Sequence, residues 1–266
     1  MTHISSVQNP RIKHVILLQS KAKIRKDKEQ FVVEGRRELL LAQQAQYKIE
    51  TLYWCPEIFE KTHFERWITD FSSTLHIVSV SLTVYQKIVM RNTTEGVVGV
   101  VQQQKRNLSS WKTKNKHPVL IVVEGVEKPG NLGAILRTAD AAKVDGVLVT
   151  ACHTDIHNPN VIRSSVGGFF SVPIFNCSNE EAKTFLLKNN VNMVAASLQK
   201  SVSYTTIDYT KATALIMGSE AKGISAFWRT DDITPIKIPM LGHVDSLKVS
   251  VASAILIYEV IRQRNG

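Results

Sequence analysis

The chain has 266 residues, 44% of them apolar and 21% charged, and its 33 basic against 23 acidic side chains give a net charge of +10. That length and composition describe a folded protein of two domains or one large one, and no apolar run approaches the roughly 18 residues a membrane helix needs, so a helical membrane role is excluded. The surplus of positive charge points to a polyanionic partner without naming it.

The start, Met1 to Ser6, lacks the basic-then-apolar layout of a signal peptide, and a cytoplasmic location is expected. Residues 11–28 then read as one basic helix with an apolar stripe of Ile12, Val15, Ile16, Leu17 and Leu18. Its basic residues Arg11, Lys13, Lys21, Lys23, Arg25, Lys26 and Lys28 stand against a single acid, Asp27. A solvated helix face and a phosphate-binding face both fit such a run. A strand at Phe31–Gly35 leads into a helix over Arg36–Gln46, with Arg36 and Arg37 in its first turn. Strands at Ile49–Cys55, Leu75–Val78 and Val97–Val101 alternate with helices at Pro56–Thr69 and Leu82–Val89, which completes a small α/β unit over residues 1–101. Residues 102–117 are polar and patternless, carry five basic residues and no acid, and read as a linker.

A second alternation fills residues 118–266. Val119–Val123 is almost wholly apolar, as a strand buried on both faces of a parallel sheet must be. Further strands are expected at Gly146–Thr150, Val172–Phe175, Met193–Ala196, Ala214–Met217 and Pro235–Ile238, and helices at Leu132–Ala142, Val161–Val166, Glu180–Lys188 and Val249–Arg264. The last helix is apolar on more than one face, which suits a deep core position or a partner subunit. The three cysteines, Cys55, Cys152 and Cys177, include no Cys-x-x-Cys pair, so free buried thiols are expected rather than a disulfide framework or zinc site.

Three polar islands stand where predicted strands stop: Pro129 to Arg137, Met217 to Gly223, and Ile238 to Ser250. Glycines at strand ends let backbone amides approach a ligand, and ligands of open α/β sheets gather at the carboxyl ends of strands, so the islands read as one composite site. The first lacks the Gly-x-Gly-x-x-Gly of dinucleotide binding, and no Gly-x-x-x-x-Gly-Lys-Ser/Thr loop is present. His153 and His157 lie in a predicted loop before Asn158-Pro159, and no metal site is expected there. His243, Asp245 and Ser246 are the residue types of a hydrolytic triad, but sequence neighbours rarely converge and no Gly-x-Ser-x-Gly elbow accompanies them. Taken singly, Asn131 reads as a helix N-cap, Arg137 as a surface arginine, and Glu220 and Ser246 as loop residues.

Read together, the islands resemble the SpoU (TrmH-like) group of RNA ribose 2′-O-methyltransferases within the SPOUT superfamily. The resemblance runs from Val119 to Gln263, and Phe31 to Leu39 is similar to the family's N-terminal substrate-binding domain. It implies an α/β fold: a C-terminal trefoil-knot methyltransferase domain preceded by a small α/β RNA-binding domain. It also implies S-adenosylmethionine as cofactor, a homodimer formed through the knotted domain, and structured RNA, ribosomal above all with transfer RNA as an option, as substrate. Residue by residue, Asn131 and Arg137 match the first-motif active-site pair, Glu220 the second-motif acid and Ser246 the third-motif serine. Gly218, Ile238, Met240 and Leu247 match cofactor-holding positions. Arg11, Lys13, Lys21, Lys23, Arg25, Lys26, Arg36 and Arg37 are the expected RNA contacts.

One position departs from the family pattern of Ser-Leu-Asn-Val-Ser, because Lys248 replaces the asparagine. Asparagine donates and accepts hydrogen bonds, whereas lysine only donates and adds charge. Two expectations follow: Lys248 serves as the base that an always-protonated Arg137 cannot be, or transfer is impaired and the chain is an RNA-binding protein of the same architecture. A small-molecule enzyme using the glycine loops for a nucleotide is the remaining reading, and it predicts no RNA affinity even at low salt.

Overall fold

The computed structural model describes residues 2–72, 75–90, 95–151 and 154–265. The chain divides into two compact units, Met1–Lys105 with His157–Arg163, and Arg106–Ile156 with Ser164–Gly266.

The first unit runs β1 (Thr2–Ile4), α1 (Pro10–Ser20), α2 (Ala22–Lys28), β2 (Gln30–Glu34), α3 (Arg36–Gln44), β3 (Ile49–Trp54), α4 (Lys61–Trp67), β4 (His76–Val80), α5 (Leu82–Ile88) and β5 (Val97–Gln102). Its five strands lie in the order β1-β4-β3-β5-β2, with β1, β4 and β3 parallel and β5 antiparallel to both β3 and β2. Ile12, Val15 and Leu18, the buried stripe of α1, pack with Val32, Val78, Val84 and Val100 in one core. At the start of α1, Asn9 accepts from the Arg11 amide at 2.9 Å, and Pro10 supplies a preset φ at the first helical position.

The single basic helix expected over residues 11–28 is two helices. Lys21 adopts an extended backbone (φ −124°, ψ 107°), with neither glycine nor proline to announce the break. The break corrects one expected RNA contact, Arg25. This side chain is only 2% exposed, and its Nη1 donates to the carbonyls of Leu18 at 2.6 Å and Gln19 at 3.2 Å. A helix leaves its last carbonyls without intrahelical partners, and the turn at Lys21 brings Arg25 back to satisfy them. Arg11, Lys13, Lys21, Lys23, Lys26, Arg36 and Arg37 are exposed. Arg11 Nη1 lies 2.9 Å from His76 Nε2, and Arg36 sits over the Phe59 ring and 3.7 Å from Glu95. The strand β1 escaped the sequence reading because three residues are too few to show a period.

The second unit continues with β6 (Val119–Glu124), α6 (Pro129–Ala141), β7 (Gly146–Thr150), α7 (Pro159–Ser165, grouped with the first unit as far as Arg163), α8 (Gly168–Ser171), β8 (Ile174–Cys177), α9 (Asn179–Lys188), β9 (Asn192–Ala196), β10 (Val202–Ser203), β11 (Thr213–Met217), β12 (Ile233–Lys237) and α10 (Val249–Asn265). The sheet order is β10-β12-β9-β11-β6-β7-β8, with every pairing parallel. All strands therefore end at one edge, and β6, flanked by β7 and β11, marks where the order reverses. Every residue of β6, β7 and β11 is buried, as apolar strands covered on both faces require.

The expected linker is partly docked: Leu108 joins the second unit's core, and Trp111 packs on Phe175 and Phe185 at 4.7 and 5.5 Å between ring centres. Ser178 and Glu181 form a reciprocal capping box on α9. Arg264 fastens the far end of α10 by donating to the carbonyls of Tyr209, His117 and Lys211 at 2.9, 2.6 and 2.5 Å. Val251 and Tyr258 on α10 remain 44% and 50% exposed. Cys55 is buried, and burial pushes the Cys177 thiol up to about 12; Cys152 and His153 lie outside the described residues. His157 is buried and stacks near Phe31, 4.9 Å between ring centres. No described helix is long and apolar enough to cross a membrane.

Candidate active site

The parallel sheet delivers the second and third islands to the same edge, since β11 ends at Met217 and β12 at Lys237. The loop after β11 doubles back at once. Ser219 and Gly223 exchange both backbone hydrogen bonds, at 3.2 and 2.9 Å, and the Lys222 amide donates to Ser219 Oγ at 3.2 Å. Gly223 turns the chain with φ +64°, in the left-handed region. Gly218 is pressed against the returning strand: a Cβ there would lie 2.1 Å from the Gly223 carbonyl carbon and 2.2 Å from the Ile224 nitrogen. Only glycine fits that approach.

This loop, the 238–247 segment and the first turns of α10 enclose a cavity of about 400 Å³. Gly218, Glu220, Ile238, Met240, Ser246 and Leu247, six of the residues singled out in the sequence, line it. The walls are apolar at Ile236, Ile238, Leu247 and Leu256, and carry Lys222, Arg229 and Lys237 against the carboxylates of Glu220 and Asp245. The Ser246 hydroxyl donates to Asp245 Oδ1 at 2.9 Å.

A side-chain hydrogen bond ties the first island to the cavity wall. Asn131, third residue of α6, donates from Nδ2 to Glu220 Oε1 across 89 positions of sequence. The N-cap reading for Asn131 does not hold, because α6 begins at Pro129 with Lys128 as its cap. Arg137 is exposed, lies six residues further along α6, and does not line the cavity. Six residues advance about 9 Å and turn about 240° on a helix, so Asn131 and Arg137 leave α6 on different sides. Lys248 also lies off the cavity wall and is exposed. Its carbonyl accepts from the amides of Val251 and Ala252 at 2.9 and 3.0 Å, which makes it the N-cap of α10.

The sequence reading missed two contributors. Ser197, Leu198 and Gln199 form a further wall after β9, and no glycine marked them. Glu124 was visible only as a lone acid closing the apolar run of β6, yet it is buried and hydrogen-bonded to the segment that leaves the glycine loop. Among the described residues, no group of three or more His, Cys, Asp or Glu is placed to hold a metal ion.

Comparison with known proteins bears on the same regions. A model of an MRM3-like substrate binding domain matches residues 9–99. A protein of Staphylococcus saprophyticus named for the TrmH family of tRNA/rRNA methyltransferases is 35% identical over 159 residues, 59% of this chain and 64% of that protein. The alignment thus spans less than two thirds of the length of such curated relatives. The solved structure of an RNA 2′-O ribose methyltransferase superposes over 100% of both chains with a TM-score of 0.84 at 32% identity. An S-adenosylmethionine-bound rRNA methyltransferase from Sinorhizobium meliloti superposes over 98% of this chain and 97% of that one, with a TM-score of 0.89 at 28% identity. The model of the SpoU rRNA Methylase family matches residues 118–258, the stretch that holds the whole cavity and all three islands, and the chain belongs to that family.

Proposed function

We propose that this protein is an S-adenosylmethionine-dependent RNA methyltransferase that acts in the cytoplasm on a ribose 2′-hydroxyl, with ribosomal RNA as substrate. The observation that carries the reading is the Asn131–Glu220 hydrogen bond, which joins the first island to a cavity walled by the other two. Family membership and the activities for which the two structural neighbours are named support it. The knotted C-terminal topology belongs to the same reading.

The cavity fits the cofactor. Its size is within the range of small-molecule sites, and its apolar walls suit an adenosyl group. Glu220 and Asp245 suit a cationic centre, while Lys222, Arg229 and Lys237 suit a carboxylate. S-adenosylmethionine supplies an electrophilic methyl group on a sulfonium. The protein's part is to align the ribose hydroxyl and help its proton leave. Glu220 is oriented by Asn131 and fixes one side of the site. A guanidinium stays protonated, so Arg137 acts electrostatically, holding the hydroxyl or the adjacent phosphate and stabilising developing negative charge. Arg137 lies off the cavity of its own chain, and a homodimer in which it serves the partner's site accounts for that placement. Val251 and Tyr258, exposed on α10, supply apolar surface for such an interface.

Tritium transfer from labelled S-adenosylmethionine to RNA from cells lacking the protein tests this directly. Labelled RNA is expected. Cofactor binding by calorimetry with no labelled RNA favours the reading as an RNA-binding protein instead.

Two further results are expected. Reversing the exposed charges of Lys21, Lys23 and Lys26 to glutamate lowers RNA affinity and flattens its salt dependence, by roughly one unit of slope for each phosphate that is no longer neutralised. An unchanged slope makes the run a merely solvated face. Lys248→Asn raises the stability of the second unit by about 0.5–1 kcal/mol, because asparagine caps a helix N-terminus well whereas lysine places its charge at the positive end of the dipole. Thermal unfolding checks this, and a methyl-transfer pH profile unchanged by the substitution removes Lys248 from proton transfer.

A further inference from the structure

The proposed cofactor cavity depends on a loop that doubles back within seven residues. Its entry at Met217 is held by the register of β11 between β6 and β9. At its exit, Ser225 is held by a buried acid. Glu124, the last residue of β6, is only 4% exposed, and both of its oxygens are used. Oε2 accepts from the Ser225 amide at 2.7 Å, and Oε1 accepts from Ser225 Oγ at 2.6 Å and from Asn179 Nδ2 at 2.7 Å. Asn179 in turn accepts at Oδ1 from the indole of Trp228, 3.2 Å away and itself 1% exposed.

A buried carboxylate is costly unless its acceptor sites are filled, and here three donors from two segments fill them. Ser225 directly follows Ile224, whose nitrogen is one of the atoms pressed against Gly218, and the Ile224 carbonyl is held by Arg229 Nη2 at 2.8 Å. Pinning Ser225 therefore adds to the Ser219–Gly223 backbone pair in keeping the tight return at Gly218–Gly223 closed. We propose that Glu124 is a positioning residue of the cofactor site: through Ser225 it holds the 218–224 loop in the shape that walls the cavity, without touching substrate or cofactor. The inference rests on the cofactor reading for what the cavity holds, but the loop's closure is measurable without any ligand.

The test pairs Glu124→Gln with the milder Ser225→Ala, which leaves the backbone bond to Glu124 in place. In Glu124→Gln the amide that replaces one oxygen is a donor facing donors. Amide hydrogen exchange on the protein without cofactor is expected to speed up by about tenfold or more at residues 219–225 while β6 and β11 keep their protection. S-adenosylmethionine, added to full-length protein well below its melting temperature, is expected to bind about tenfold more weakly, with RNA affinity unchanged. Ser225→Ala is expected to move both quantities in the same direction by less, and it carries the test if Glu124→Gln does not fold. A purely structural acid lowers the melting temperature but leaves loop exchange and cofactor affinity of the folded protein alone; that result in both variants overturns the proposal. If wild-type protein binds no S-adenosylmethionine, the functional reading fails, and the exchange comparison still decides the role of Glu124.

Discussion

Replacing Gly218 by alanine is expected to weaken cofactor binding by about 100-fold while leaving the first unit intact. The added Cβ would lie 2.1 to 2.3 Å from three backbone atoms of Gly223 and Ile224, none of which can rotate away as a side-chain end could. The loop must open by about an ångström to admit it, since real Cβ atoms essentially never approach within 3.0 Å. Such overpacking costs typically 1–3 kcal/mol in a packed core, and here the cost falls on the geometry of the site, so S-adenosylmethionine affinity drops by about 100-fold. Calorimetry on a variant shown to be folded reads this out. Affinity within about threefold of wild type would mean that the 218–224 loop is not the cofactor's wall.

Arg137→Ala is expected to behave in the opposite way. Since Arg137 does not line the cavity of its own chain, cofactor affinity stays at the wild-type value. Methyl transfer falls by about 100- to 1,000-fold, the usual consequence of deleting a preorganised donor aimed at developing negative charge. Lysine at this position restores only part of the rate, because it keeps the charge but not the planar fork. The proposed homodimer adds a sharper expectation. At limiting cofactor, mixing Arg137→Ala with Gly218→Ala subunits, each about 100-fold or more impaired alone, recovers roughly a quarter of wild-type activity if each site takes its arginine from the partner: half of the dimers are mixed, and each mixed dimer has one intact site. No recovery on mixing places Arg137 in its own subunit's site or outside the chemistry.

The two variants together separate what the chain's sequence made plain from what it hid. Apolar runs such as Val119 to Val123 announced a parallel sheet, and a parallel sheet brings all its strand ends to one edge. Hence Gly218 and Leu247, far apart in sequence, were legible as neighbours. Period and composition carry no information about contacts made without a glycine or an apolar pattern. The wall at Ser197 to Gln199, the anchoring of Ser225 by Glu124, and the burial of Arg25 all belong to that class. Arg25 is instructive because its neighbours Lys23 and Lys26 are exposed. Charge counting treats the three alike, and only the unsignalled break at Lys21 turns one of them onto the carbonyls of α1. Arg137 was legible as a residue type at a motif position, but its distance from the cavity emerges only when α6 is laid against the 218–224 loop.

The position of the methyl group is the most direct test of this function. Wild-type protein is incubated with tritiated S-adenosylmethionine and ribosomal RNA from cells lacking it, and the RNA is hydrolysed in alkali. A ribose 2′-O-methyl group blocks cleavage at the next phosphate, so label is expected only in alkali-resistant dinucleotides, with at least about 100-fold less of it from Arg137→Ala. Label recovered in ordinary mononucleotides would place the methyl on a base and contradict ribose 2′-O transfer.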